Sequence, residues 1–171
     1  MMHIRKKTVE GDSPATRVNA LSDDLTKSRI LRFCAYQERS TRDVEMKLRE
    51  WKVSPAKIRT IVEGLEEEGF LDDARFVRAF IHGKIHINHW GRKKIVFELR
   101  GKGIQGSLIG AGLEEINEEE YRAILESLIL KKRREIKGGK NLTIREKLIN
   151  FALGKGFEFD LILQSLHNLK I

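Results

Sequence analysis

Three of the histidines are spaced along this chain so that they could act together in chemistry. His82, His86 and His89 follow one another at i, i+4 and i+7, so a continuous helix would place all three on one face. Imidazole nitrogen is a frequent ligand of zinc, and this spacing gives metal-ligand geometry in outline. No cysteine or nearby carboxylate completes the set, and Gly83 and Asn88 favour fraying of the helix. A solvated, partly cationic helix face is the alternative, and we expect no resident metal.

A glycine-rich segment matches the dinucleotide-binding fingerprint by its letters. Residues 101–106 read Gly-Lys-Gly-Ile-Gln-Gly, which is G-x-G-x-x-G. That fingerprint holds a pyrophosphate only between a strand and a helix of a βαβ unit. A helical pattern precedes the glycines here, and Gly154-Lys-Gly156 stands at an equivalent place later in the chain. We therefore interpret these glycines as helix ends and expect no cofactor.

No combination of side chains indicates catalysis. Asp72 and Asp73 form a carboxylate pair, but acidic residues are favoured at helix N-termini for electrostatic reasons alone. No serine, cysteine or lysine has a neighbour that would activate it as a nucleophile. We therefore expect a protein that is not an enzyme.

Clusters of lysine and arginine are the remaining candidates for a binding site. The net charge is +8, and clustered cations neutralise phosphates and release counterions. The alternative is a set of solvated helix ends whose charge complements the macrodipole. Trp90 is the only aromatic residue close to the clusters, so binding to nucleic acid is expected to be led by the backbone and poorly sequence-specific. The candidate contacts are Arg92, Lys93, Lys94, Arg100, Lys102, Lys131, Lys132, Arg133, Arg134, Lys137, Lys140, Arg145, Lys147 and Lys155.

An apolar pattern that occurs three times indicates the elements that position these residues. Each copy has an apolar residue, a second one five positions later and an isoleucine five positions after that. The copies recur at intervals of about fifty residues, which is typical of an array of supersecondary units. The middle residue precedes a helix N-cap and the isoleucine is the fourth helical residue, as in a hydrophobic staple. The copies are Leu48, Val53 and Ile58; Leu99, Ile104 and Ile109; and Ala152, Phe157 and Ile162.

Helical periodicity that alternates with short breaks predicts nine helices and no strand of useful length. Ser40-Thr-Arg-Asp43 resembles a capping box, and Ser54 precedes a proline at a first helical position. Asp72 and Asn117 are further N-caps. The predicted helices are 24–38, 40–52, 54–68, 72–87, 90–102, 105–114, 117–137, 141–154 and 158–169. The helix at 105–114 is the weakest, since each of its glycines disfavours helix by about 1 kcal/mol relative to alanine.

The fold class predicted from these helices is all-α, with three tandem three-helix, helix-turn-helix-like repeats. The expected domains are a mobile N-terminal arm at 1–23 and repeats at 24–70, 71–115 and 116–171. A unit of about fifty residues is marginal alone, so the repeats are expected to pack against one another.

Composition favours a water-soluble, helix-rich protein. Hydrophobic residues make up 40% of the chain and charged residues 34%. Cys34 is the single cysteine, which excludes an internal disulfide framework. No apolar run approaches the roughly eighteen residues of a membrane span, and the N-terminus shows no signal-peptide stretch. These features predict a cytoplasmic location without a membrane partner.

Two adjacent segments of the middle unit resemble the RecX regulatory family. Gly69-Phe-Leu-Asp-Asp-Ala-Arg-Phe76 is followed by Gly91-Arg-Lys-Lys-Ile-Val-Phe-Glu-Leu-Arg-Gly-Lys-Gly-Ile104, and the segment from Arg39 to Leu48 resembles the family's first-unit signature. The resemblance covers about 27 to 169, although the third unit matches mainly in pattern. It implies three tandem three-helix repeats that form an elongated, curved array.

This resemblance implies regulation of the RecA recombinase in DNA repair, homologous recombination and the SOS response. Such proteins are expected to bind RecA and its filament on single-stranded DNA, to hinder filament growth, and to damp ATP hydrolysis, strand exchange and co-protease activity. The expected partners are RecA and the backbone of single-stranded DNA, with double-stranded DNA as a further candidate. The expected oligomeric state is a monomer. The family has no catalytic residues to transfer. The matched motif positions, which we interpret as mostly structural, are Asp72, Asp73, Phe76, Gly91, Glu98, Leu99, Gly103 and Ile104.

Two alternatives remain at this point. A duplex-DNA regulator would also use helix-turn-helix-like units, and it should bind a palindromic site selectively. A metal-dependent enzyme would use the three histidines of the middle unit.

Overall fold

The computed structural model describes residues 14–136 and 143–171, with side chains from residue 24 onward. This part of the chain forms nine helices and no strand, which confirms the all-α prediction. None of these helices is long and apolar enough to cross a membrane. The helices are α1 (Pro14–Tyr36), α2 (Thr41–Glu50), α3 (Pro55–Glu67), α4 (Asp73–His86), α5 (Arg92–Gly101), α6 (Gly106–Glu114), α7 (Glu118–Glu135), α8 (Ile144–Lys155) and α9 (Phe159–Asn168).

The first helix begins earlier than the sequence pattern predicts. α1 starts at Pro14, not at 24, and so takes in part of the segment expected to be an arm. Proline is favoured at the first helical position because its φ angle already suits a helix and it has no N–H to satisfy. No glycine or further proline interrupts the chain between that residue and Tyr36. Residues 1–13 of the predicted arm lie outside the described residues.

Side-chain caps fix several helix starts at the predicted positions. The Ser40 hydroxyl accepts a hydrogen bond from the Asp43 N–H at 3.1 Å, and the Asp43 carboxylate accepts one from the Ser40 N–H at 3.4 Å, which confirms the capping box. Asp72 caps α4 by accepting from two backbone N–H groups, and Asn117 caps α7. These bonds satisfy N–H groups that have no partner inside the helix. Ser54 precedes Pro55 as predicted, without a side-chain cap bond.

The buried side chains form two separate hydrophobic cores. The first is formed by α1, α2 and α3 with one residue of the segment before α4, and it contains Ile30, Cys34, Val44, Leu48, Ile58, Val62, Leu65 and Leu71. The second is shared by the middle and third helix groups and contains Phe76, Val77, Ile81, Ile85, Ile95, Leu99, Ile104, Ile109, Tyr121, Leu125, Ile129, Leu148, Ala152, Phe157, Ile162 and Leu166. The residues of the repeated apolar pattern lie in these cores, except for the half-buried Val53. The middle and third units therefore share one core, while the first unit has its own.

The glycine-rich helix α6 forms, and one of its glycines explains how. A β-carbon added at Gly112 would lie 2.7 Å from Cγ1 of Val77 and 2.8 Å from Cδ1 of Ile81 on α4. The absence of a side chain thus lets α6 approach α4 closely, and this packing offsets the low helix propensity. A β-carbon added at Gly106 or Gly110 would have no neighbour within 4 Å.

The middle and third units meet where the start of α5 contacts the end of α8. The Gly91 N–H donates to the Lys155 carbonyl at 2.9 Å, and the Lys93 N–H donates to the Gly156 carbonyl at 3.0 Å. A β-carbon added at Gly91 would lie 2.2 Å from the backbone of Gly156, so no other residue fits at this position without displacement. Gly156 itself has a φ of +91°, in the left-handed region that favours glycine.

Replacing Gly91 by alanine is expected to destabilise the protein by about 2 kcal/mol or more, because the added methyl group overlaps backbone atoms, which cannot move aside like the end of a side chain. Urea unfolding at neutral pH measures this change. Gly101→Ala is the matched control, since its β-carbon would have no neighbour within 4 Å. That variant should be unchanged or up to about 1 kcal/mol more stable. Equal stability of both variants would contradict a close contact at Gly91.

Candidate nucleic-acid interface

Arg92 lies in a polar network that joins the middle unit to the third. Its backbone N–H donates to the Tyr121 hydroxyl at 2.9 Å, and its guanidinium binds Glu158 at 3.3 Å and also pairs with Glu118. The guanidinium carbon lies 4.2 Å from the centroid of the Tyr121 ring. The Tyr121 hydroxyl donates to Glu158 at 2.9 Å, and burial raises the pKa of that hydroxyl well above its usual value. The structure thus gives Arg92 a role inside the protein.

Lys102 has a comparable role between the first and middle units. Its ammonium contacts both carboxylate oxygens of Asp43 at 2.8 and 2.9 Å. Burial of the Asp43 carboxyl by itself raises its pKa, but hydrogen bonds from Lys102 and Ser40 outweigh this effect and hold the pKa below its usual value. Asp73 adds a further contact by accepting from the Thr41 N–H at 2.9 Å. Polar contacts therefore connect these two units where no shared core does.

The other cations of α5 lie nearer to solvent. Lys93 and Arg100 are exposed, and Lys94 is half-buried. The Lys94 ammonium lies 4.3 Å from the centroid of the Trp90 ring, and the Lys84 ammonium lies 4.5 Å from the same centroid. Both distances are within the range of cation–π attraction. The structure thus places the predicted aromatic residue among cations.

Phe97 is a second aromatic residue among these cations, and the sequence prediction missed it. It is 75% exposed and lies four residues after Lys93 and three before Arg100, so all three share one side of α5. The signal available in the sequence was this spacing, since a phenylalanine on a helix face with cations one turn away on either side is not a core pattern.

The cations of the third unit have several different surroundings. Lys131, Arg133 and Arg134 are exposed near the end of α7. Lys132 pairs with Glu135 at 3.1 Å. Exposed cations of this kind are solvated in the free protein and available to a phosphate.

The remaining candidates flank α8 or fall outside the described residues. Arg145 is exposed, and its guanidinium donates to the backbone carbonyl of Ile171. Lys147 and Lys155 are half-buried. The predictions for Lys137 and Lys140 fall at positions outside the described residues.

The histidines do not form the continuous face that a metal site would require. α4 ends at His86, and His89 has a φ of +53° and its Nδ1 lies 3.2 Å from the Ile85 carbonyl. The rings of His82 and His86 lie 4.3 Å apart, and His86 faces Glu120 at 3.5 Å. Within the described ranges, no group of three or more His, Cys, Asp or Glu residues is placed to hold a metal ion.

The glycine fingerprint is a helix end, as predicted. α5 ends at Gly101, and Gly103 follows with a φ of +77°. At the equivalent place after α8, Gly156 is the C-cap with a φ of +91°. A left-handed residue just after a helix is a common way to satisfy its last carbonyl groups. A pyrophosphate-binding turn needs a preceding strand, and α5 stands there instead.

Comparison with known proteins identifies the family. The second three-helix domain of RecX matches residues 72–113, which contain all of α4 and α5 and all of α6 except Glu114. The regulatory protein RecX of Clostridium acetobutylicum is 31% identical over 147 residues, covering 84% of this chain and 68% of the relative. This chain belongs to the RecX family. The RecX of Bacillus cytotoxicus is 29% identical over 170 residues, covering 98% of this chain and 63% of the relative.

Solved RecX structures support the same fold. A crystal structure of RecX from Lactobacillus salivarius superposes with a TM-score of 0.74 at 22% identity, covering 88% of this chain and 98% of that chain. A second crystal structure of a regulatory protein RecX gives a TM-score of 0.73 at 22% identity, covering 88% of this chain and 76% of that one. The prediction of three-helix repeats is confirmed. The chain spans about two thirds of the length of the two curated relatives named above.

Replacing Asp43 by asparagine is expected to weaken the attachment of the first unit by about 1 kcal/mol at pH 7. Folding lowers the pKa of this carboxyl, so its ion pair stabilises the protein above the unfolded-state pKa of about 3.9 and is lost as pH falls through the folded-state pKa. The difference from the unsubstituted protein should therefore shrink below about pH 4. Urea unfolding at a series of pH values measures it.

The matched control is Glu50→Gln, which removes an exposed ion pair with Lys47 on the same helix. This change should alter stability by less than about 0.5 kcal/mol. Combining Asp43→Asn with Lys102→Gln should cost less than the sum of the two single changes, since they break one shared contact. Additive costs would contradict a coupling between these two side chains.

Proposed function

We propose that this protein binds RecA and its filament on single-stranded DNA and restrains filament growth. Reduced ATP hydrolysis, strand exchange and co-protease activity would follow from the shorter filament. The observation that carries this proposal is membership of the RecX family, whose curated members are named regulatory proteins. The protein would act by occupying a surface, without chemistry of its own.

The charge distribution supports an anionic partner. The net charge is +8, and cations that do not pair with a carboxylate inside the described structure stand on both the middle and third units. A surface of this kind raises the local concentration of polyanions and speeds their association. The exposed candidates among the described residues are Lys93, Arg100, Lys131, Arg133, Arg134 and Arg145.

We propose the three repeats as the contact modules, with the boundaries 24–70, 71–115 and 116–171. This division groups the helices as α1 to α3, α4 to α6 and α7 to α9, although α1 begins at Pro14, before the first boundary. The apolar side chains of these groups form cores within the chain. We further propose that the protein acts as a monomer and in the cytoplasm. No observation favours the duplex-DNA alternative, since three unequal units in one chain lack the two-fold symmetry of a palindromic site.

The test is the ATPase rate of RecA on single-stranded DNA with increasing amounts of this protein. We expect inhibition at ratios at or below one molecule per RecA, because blocking filament growth needs few molecules. An unchanged rate at equal concentrations would refute the proposal. Selective binding of this protein to one duplex sequence in the absence of RecA would favour the alternative.

The double variant Arg133→Gln with Arg134→Gln is expected to raise the concentration for half-inhibition by roughly fivefold, since two exposed ionic contacts contribute on the order of 1 kcal/mol. The effect should diminish as salt is added. Arg59→Gln on α3 is the matched control, because Arg59 is an exposed arginine outside the predicted contacts. Equal half-inhibition by all three proteins would remove these two arginines from the interface.

A further inference from the structure

The outer face of α5 carries an aromatic side chain where a polar one is expected. Ile95 and Leu99 are fully buried and face the core, and Phe97 lies on the opposite side of the helix with 75% of its surface exposed. It is the most exposed phenylalanine among the described residues. A single exposed apolar residue is common on protein surfaces, so its meaning depends on its neighbours.

The neighbours of Phe97 on this face are cations. At 1.5 Å per residue, Lys93 lies about 6 Å before Phe97 along the helix axis and Arg100 about 4.5 Å after it. Neither cation has a carboxylate partner among the residues that the structure describes. Arg92 and Lys102 of the same segment differ, since ion pairs hold both of them. The structure thus separates the cations of this segment into paired and available ones.

The acidic residue of α5 lies away from this face. Glu98 is the one acidic residue of α5, and it is half-buried in the groove that Lys84 and Lys102 also line. Lys94 extends the positive charge toward the Trp90 ring, where its ammonium lies 4.3 Å from the centroid. The exposed face is therefore a cationic surface with an aromatic ring at its centre.

We infer that this face of α5 binds single-stranded nucleic acid, with a base stacked on Phe97 and the flanking phosphates on Lys93 and Arg100. Alternation of cations with an aromatic ring suits a partner that offers both phosphates and open base faces. A duplex buries its base faces in stacking, and an acidic peptide would use the cations but leave the ring without a matching surface. Phenylalanine has no hydrogen-bonding group, so binding would tolerate any sequence. The inference rests on the proposed function in taking single-stranded DNA as the partner.

The test uses the full chain without RecA and a fluorescently labelled oligothymidine strand, with anisotropy as the readout. Phe97→Ala is expected to weaken binding about tenfold, which is the usual loss when one stacking residue is removed. Phe97→Trp should restore it, because tryptophan also offers a flat ring, whereas Phe97→Leu should not. Phe159→Ala on α9 is the matched control, since that phenylalanine is also exposed but lies in another unit. Thermal unfolding followed by circular dichroism confirms that each variant is folded.

A strand of abasic sites separates stacking from charge. It keeps the phosphates and lacks the bases, so the unsubstituted protein and the Phe97→Ala variant should bind it equally. Lys93→Gln and Arg100→Gln should each reduce the slope of log affinity against log salt by about 0.7, the value for one phosphate contact on a single strand. The slope of Phe97→Ala should not change.

Several results would overturn the inference. These are undiminished binding of oligothymidine by Phe97→Ala, an equal loss on the abasic strand, and no binding of oligothymidine by the unsubstituted protein. Weaker RecA inhibition by Phe97→Ala with normal strand binding would assign the ring to a protein contact and would also overturn it. Failure of the unsubstituted protein to inhibit RecA, with Phe97-dependent strand binding intact, would refute only the proposed function.

Discussion

The contact between Gly91 and Gly156 is the constraint on which the arrangement of the second and third units depends. The two backbones lie so close that a β-carbon on either residue would overlap the other segment. Backbone N–H groups at the start of α5 donate to carbonyl groups at the end of α8. Each helix end thus supplies hydrogen-bond partners for backbone groups that have none within their own helix. Arg92, Tyr121 and Glu158 complete this junction. The buried apolar side chains of both units belong to one core.

The first unit is attached by a different kind of interaction. Its core is separate, and the described contacts to the middle unit include the pair between Asp43 and Lys102 and the bond from the Thr41 N–H to Asp73. Ion pairs near the surface lose strength in salt, whereas a shared hydrophobic core does not. The two junctions of this protein therefore differ in their sensitivity to salt. The same Asp43 carboxylate also caps α2, so one side chain sets a helix start and a junction.

The distribution of charge follows from these junctions. Arg92 and Lys102 stabilise the protein from within, while Lys93 and Arg100 of the same segment stay in solvent. Helix periodicity produces this division, since neighbouring residues on a helix face different directions. Lys93 and Arg100 of this chain are therefore not used by the fold and remain accessible to a partner. Phe97 lies on the solvent side of this division.

The sequence by itself determined the features that depend on near neighbours along the chain. The nine helices of residues 14–136 and 143–171, the caps at Ser40, Asp72 and Asn117, and the glycine helix ends all involve contacts within about one turn, and their residue types carry the signal. The sequence pattern did not predict the start of α1 at Pro14, because helical periodicity is weak before residue 24. Only the tertiary structure decided which cations are paired, since Lys102 meets Asp43 across 59 residues and Arg92 meets Glu158 across 66. It also decided that the second and third units share a core, because close approach of two glycine backbones leaves no pattern in either segment alone.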